Sequence, residues 1–349
     1  MRAVLPLAVC LALAPALLGG QFFMDTAPEA SPPGTTGDAE EAQPPPPPGP
    51  IDPHQRRSTI YVAARGSAEV RVYSRDTGEE IATVSVGSLP SGLAARRDGD
   101  RIYVACAGSH TLEIIDGATR KVLDRVSFPH GTAPAHVVLD PLDQIAWVAA
   151  SGTDQVIAVD TGSLQQVADV AVGREPSRLA LSPDGRTLYV LCIKSGRVDI
   201  VDTVAMNVIG SVAVGARPSD LALNPATGDL FVVREDKPVL TIVTPGASQA
   251  MEVSIDMPAE SLAVDNPGRR VLLAVPAAGQ IAVVSPATGA TTKVIDAPEV
   301  TRLVVDPDGA RVYALSLRRD LLLVVDQMLG SVKQEIPAGR KPWDLVLIP

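Results

Sequence analysis

The chain has 349 residues, with 46% hydrophobic and 20% charged side chains and a formal charge of −10 at neutral pH. Residues 58 onward carry −7 of that charge, so a nonspecific attraction to nucleic-acid phosphates is excluded as a design principle. Only 11 aromatic side chains occur (four Phe, two Trp, five Tyr), so any core must be built on aliphatic packing.

The first elements are not part of a folded domain. Met1 and Arg2 precede an apolar stretch from Ala3 to Gly20, with small residues at Ala14, Ala16, Gly19 and Gly20, and residues 1–23 read as a signal peptide or signal anchor. Residues 24–57, including the run Pro44 to Pro48, hold almost nothing to bury and read as an extended, Pro-rich linker. Export to the periplasm or outside the cell is therefore expected, with the N-terminus as a membrane tether if it is retained.

From residue 58 a four-strand phrase recurs. Its second strand begins near Thr59, Arg101, Ile145, Thr187, Asp229, Arg270 and Arg311, at a spacing of 41 to 44 residues that fits one propeller blade. Each run is short, rich in Val, Ile and Leu, and bounded by Gly, Pro, Asp or Asn, which marks strands and turns. Strands this apolar predict sheets covered on both faces. The array opens on strands two, three and four (Ile60 to Val62, Val70 to Tyr73, Glu80 to Val84) and ends on a solitary strand one, Trp343 to Ile348. The last strand is expected to complete the first blade, giving an all-β, seven-bladed propeller over 58–349 with no free sheet edge. A monomer is expected.

The repeated features are scaffold. Tyr61, Tyr103, Trp147, Tyr189, Phe231 and Tyr313 share one position of strand two and are assigned to core packing. Ser74, Asp116, Asp160, Asp202, Thr244, Ser285 and Asp326 end strand three and are assigned to turns, as are the Asp-Gly pairs at 98, 184 and 308. Cys106 and Cys192 occupy equivalent positions two blades apart, too far for a disulfide, and are expected as buried free thiols; Cys10 belongs to the leader.

The Tyr-Val of strand two, the loops Val172 to Pro176 and Val214 to Pro218, and the turn Ser182 to Gly185 together resemble the YVTN family of seven-bladed propellers. The resemblance spans 58–349 and implies the fold and an extracytoplasmic setting, but no common reaction. The family's Asn after strand two is replaced here by Ala64, Cys106, Ala150, Cys192, Arg234, Val275 and Ser316.

No nucleophile elbow, zinc-binding His-Glu-x-x-His, phosphate loop, dinucleotide fingerprint or haem-attachment motif is present, and no cofactor is expected. One position fails to repeat: before the first core aliphatic of strand one stand Gly92, His136, Arg178, Asp220, Ser261, Arg302 and Asp344. This variable polar set is expected at the mouth of the central channel. His136, Arg178, Asp220, Arg302, Trp343 and Asp344 form the candidate ligand site, with the arginines clamping a small anion and Trp343 as a wall. The competing reading is a ring of charges that satisfies itself. His110, His130 and His136 lie in loops of the same face, but their spacing matches no known ligand pattern and no metal site is assigned.

Two function classes remain compatible with these residues. One is an exported, non-enzymatic scaffold that binds a protein, an envelope component or a small ligand through its loop face. The other is a lactonase-like hydrolase or a quinone- or haem-associated oxidoreductase with its site in the mouth.

Overall fold

The computed structural model describes residues 58–348. The predicted leader and linker, and with them Cys10, lie outside the described residues. Among the described residues no helix is long and apolar enough to cross a membrane.

Twenty-eight strands form seven antiparallel sheets of four. Blade 1 combines β28 (Pro342–Leu347) with β1 (Thr59–Ala64), β2 (Glu69–Ser74) and β3 (Glu80–Ser85), in that order. Blade 2 is β4 (Pro90–Ala95), β5 (Arg101–Cys106), β6 (Thr111–Asp116) and β7 (Lys121–Ser127). Blades 3 to 7 follow at residues 134–171, 176–213, 218–254, 261–296 and 300–337. The first strand of each blade is innermost and touches the first strands of both neighbours, which closes the ring.

Closure occurs as the sequence predicts. β28 pairs with β1 in the register Tyr61↔Val346 and Val62↔Leu345, so chain start and chain end share one sheet. Polar contacts reinforce the seam between blades 7 and 1: Arg75 pairs with Asp306 at 3.1 Å, and Arg311 Nη1 donates to the Arg75 carbonyl at 2.7 Å. Tyr73 Oη donates to the Pro337 carbonyl at 2.6 Å.

The core lies between blades. Tyr61, Tyr103, Trp147, Tyr189, Phe231 and Tyr313 are all buried, as assigned. The outer strands depart from the two-sided covering that their composition suggested. In β3 and β7 a single side chain is buried, Val84 and Val126, while most of the others face solvent. Twisted sheets arranged radially diverge toward the rim, so the neighbouring blade no longer reaches the fourth strand.

The turns are built as expected. Asp116 Oδ1 accepts the backbone N–H groups of Ala118 and Thr119 at 3.0 and 2.7 Å, and Asp326 does the same for Met328 and Leu329. Gly99, Gly185 and Gly309 adopt φ of 72°, 73° and 72°, the left-handed conformation that glycine accommodates without a Cβ clash.

Cys106 and Cys192 are buried free thiols. Burial pushes both up to about 12, with Glu113 and Asp199 as the next causes. At neutral pH the thiolate fraction falls by roughly a thousand-fold relative to an ordinary cysteine. Alkylation followed by peptide mapping should leave both unmodified in the folded protein and modified after denaturation. Rapid native labelling of either would contradict the burial.

Candidate functional site

A β-bulge opens six of the seven inner strands, Ser261–Val264 of blade 6 being regular, and sets the geometry of the mouth. The register shifts between Pro90 and Gly92, Pro134 and His136, Pro176 and Arg178, Pro218 and Asp220, and Val300 and Arg302. The extra residue is extruded toward the axis while the next one turns sideways into the ring. The extruded set includes Ser91, Ser177, Ser219 and Trp343, and these line a cavity of about 640 Å³ at the channel mouth. Three of the hydroxyls are spent on nearby carbonyls: Ser91 Oγ donates to Leu89 O at 2.8 Å, Ser177 Oγ to Leu191 O at 3.4 Å and Ser219 Oγ to Ala259 O at 3.1 Å.

Below that layer the six polar side chains of the variable position form a network. Asp344 of blade 1 accepts the Leu93 N–H of blade 2 at 3.1 Å. His136 Nδ1 of blade 3 accepts the Leu179 N–H of blade 4 at 3.3 Å. Asp220 of blade 5 accepts the Leu262 N–H of blade 6 at 3.2 Å and the Ser261 hydroxyl at 2.6 Å. Acceptors therefore stand on alternate blades and reach forward to the next one. Seven is odd, so blade 7 falls outside the alternation and carries a donor instead. Arg302 Nη1 contacts Asp220 Oδ1 and Oδ2 at 2.9 and 2.7 Å, and its Nε donates to Asp344 Oδ1 at 2.9 Å. Gly92 supplies no side chain because a Cβ there would stand 2.6 Å from His136 Cα.

The electrostatics follow from this geometry. Burial alone would raise both aspartates, but Arg302 and Arg178 hold Asp220 and Asp344 below the usual carboxylate range. Burial works against the charge on Arg302, and the two carboxylates more than offset it, so its proton is held more tightly than usual. Burial, with the positive Arg178 second, lowers His136 to about 3, so the imidazole is neutral. Two arginines and two aspartates then cancel.

The candidate residues divide accordingly. His136, Asp220 and Asp344 are buried beneath the mouth, and Arg302 is committed to the two carboxylates. Arg178 and Trp343 border the cavity. Arg178 stands 3.6 Å from Asp220 and 4.0 Å from Asp344, and its Nη1 has no hydrogen-bond acceptor. Burial, then Arg302, lowers its proton affinity. The sequence reading did not pick out Arg65, whose guanidinium lies 4.2 Å over the Trp343 ring. The two are at opposite ends of the chain and meet only through ring closure. Glu175, Glu235 and Glu260 also border the mouth, and Glu260 is raised by burial and then by Glu235.

The three histidines do not converge. His110 meets His130 edge-on at 4.9 Å between ring centroids, while His136 is taken up by the ring. Among the described residues no group of three metal-ligating side chains forms.

No protein-family model matches the chain, and no curated protein matches it in sequence. Solved structures do match in fold. Hydrazine synthase of Kuenenia stuttgartiensis is 17% identical at a TM-score of 0.71, covering 83% of this chain and 98% of that one. A functionally unknown protein from Desulfotomaculum acetoxidans is 15% identical at 0.70, with the same coverage of 83% and 98%. The dihydro-heme d1 dehydrogenase NirN, in complex with DHE, is 14% identical at 0.65, covering 88% of this chain and 78% of that one. At such identities the likeness is one of fold.

Proposed function

We propose that this chain is an exported, YVTN-type propeller that acts as a non-enzymatic binding platform and takes a small anionic ligand in its mouth, at Arg178 and against Trp343. The observation that carries this reading is the state of Arg178. It borders a cavity of about 640 Å³ and makes no side-chain hydrogen bond, standing only at ion-pair distance from Asp220 and Asp344, whereas the neighbouring Arg302 is hydrogen-bonded to both carboxylates. A carboxylate or phosphate oxygen would complete it through a charge-assisted bond. Trp343, with Arg65 over its ring, offers a flat wall for the rest of the ligand. The glutamates of the rim disfavour polyanions and restrict the mouth to ligands of low charge. The segment before residue 58 would serve as export signal and spacer. A catalytic alternative has support in the names of two structural neighbours, a likeness confined to fold.

A panel of small carboxylic and phosphate-bearing compounds, screened by thermal shift and then by calorimetry, tests the reading. Arg178→Met should weaken a binder roughly 10- to 100-fold, the loss of one charged hydrogen bond. Trp343→Leu should weaken it less. A binder indifferent to both substitutions would place the site elsewhere, and saturable capture of an envelope protein without any small-molecule binder would replace the small anion with a macromolecule.

A further inference from the structure

Internal repetition lets one blade be compared with another, and blade 2 lacks a positive charge that blades 1, 4 and 5 have. Three residues before the first proline of the inner strand, Gly339, Gly87, Gly131, Gly173 and Gly215 stand in blades 1 to 5. At all of them except Gly131, the absence of a Cβ lets neighbouring side chains close in on the backbone. A Cβ on Gly339 would lie 2.8 Å from Arg71 Nε, and one on Gly173 would lie 3.1 Å from Arg197 Nε. On Gly87 it would run into Ser109 Oγ and lie 3.1 Å from Glu113 Oε1. Blades 1, 4 and 5 thus place a guanidinium over this glycine (Arg234 over Gly215 in blade 5), blade 3 places nothing within 4 Å, and blade 2 places a carboxylate there.

The register shows what has changed. In the third strand two same-face positions, two residues apart, hold Glu69 and Arg71 in blade 1 and Arg197 and Asp199 in blade 4. Each is an acid with its own base: Arg71 Nη2 lies 3.6 Å from Glu69 Oε2, and Arg197 Nε lies 2.8 Å from Asp199 Oδ1. The same positions in blade 2 are Thr111 and Glu113, an acid without a base. Glu113 is 2% exposed, its Oε2 has no hydrogen-bond partner, and it makes no ion pair among the described residues. Arg125 lies across the sheet from it but is exposed, with no nitrogen within ion-pair distance. An isolated buried carboxylate is expensive unless a positive charge accompanies it.

We propose that the space over Gly87 is a binding site for a monovalent cation (sodium, potassium or ammonium) held by the Glu113 carboxylate with the Ser109 and Thr111 hydroxyls. One carboxylate calls for one positive charge, the same charge that Arg71 and Arg197 supply in blades 1 and 4. The two hydroxyl oxygens, 3.0 Å apart, add neutral oxygen donors of the kind hard cations prefer. Cys106 borders the space as a neutral thiol. This site is separate from the mouth, so it stands or falls independently of Arg178.

The test is thermal unfolding in sodium, potassium or ammonium chloride against N-methylglucamine chloride at equal ionic strength, about 0.1 M, so that general screening is matched. At least one small cation should raise Tm saturably, by roughly 2–4 °C. Glu113→Gln should abolish the response by removing the charge. Thr111→Arg should abolish it by supplying the guanidinium internally, as Arg197 does, and should leave the protein at least as stable as the cation-bound form. Arg125→Ala should keep the response. Equal Tm in all four salts would overturn the site, as would a response that survives both Glu113→Gln and Thr111→Arg. A response that appears only in Arg125→Ala would assign the space to the Arg125 guanidinium and overturn it too.

Discussion

Asp220→Ala should destabilise the propeller by about 3–5 kcal/mol, the cost of breaking a buried, hydrogen-bonded charge pair by removing one partner. Asp220 is 2% exposed and accepts from Arg302, the Ser261 hydroxyl and the Leu262 N–H. Without it, Arg302 keeps only Asp344, Arg178 loses its nearer carboxylate, and two guanidiniums share one counter-charge. The Leu262 N–H loses its side-chain acceptor as well. Urea unfolding of Asp220→Ala and of Asp220→Ala with Arg302→Met gives the decisive comparison. The double variant should recover part of the loss, because the uncompensated charge goes with its partner. Equal or larger loss in the double variant would show that Arg302 is stabilised by something other than Asp220.

The propeller was legible because its signals are local. Strand length, Asp-Gly turns and strand-ending aspartates each lie within one repeat, and the out-of-step ends follow from counting strands through the repeats between them. The variable position at Gly92, His136, Arg178, Asp220, Ser261, Arg302 and Asp344 was visible for the same reason, as the column that does not repeat. Its geometry was less accessible. Reading those residues as lining the channel assumed that side chains after the strand start point to the axis. The bulge turns most of them toward the adjacent blade, leaving Arg178 at the mouth, and sends Ser91, Ser177, Ser219 and Trp343 inward. The alternation of acceptors at Asp344, His136 and Asp220 was written in the column, with the odd seventh place left to Arg302, but it acquires meaning only once the partner is known to be the next backbone N–H. Glu113 escaped notice because a lone glutamate in a strand looks solvated. Comparison with Glu69–Arg71 and Arg197–Asp199 identifies it as unbalanced.

Stability should fall as the pH drops below about 6.5, and His136 should be the cause over the first two units. Burial, followed by Arg178, lowers this imidazole from an ordinary 6.5 to about 3. Between those values the unfolded chain binds a proton that the folded chain refuses, so acidification favours unfolding. The stability present above 6.5 is lost at about 1.4 kcal/mol per pH unit, which is roughly 2–3 kcal/mol by pH 4.5. Asp220 and Asp344, also held below their usual range, add to the loss at lower pH, where they take up protons in the unfolded chain first. His136→Asn separates the two contributions. Its side-chain oxygen stands where Nδ1 accepts the Leu179 N–H, so the forward contact to blade 4 is kept while the titration is removed. The variant should hold a flat stability between pH 6.5 and 4.5 and then descend with the wild type as the aspartates protonate. Parallel curves over the first interval would mean that His136 is charged in the folded ring, and the charge balance of Arg178, Arg302, Asp220 and Asp344 would have to be redrawn with one more positive group.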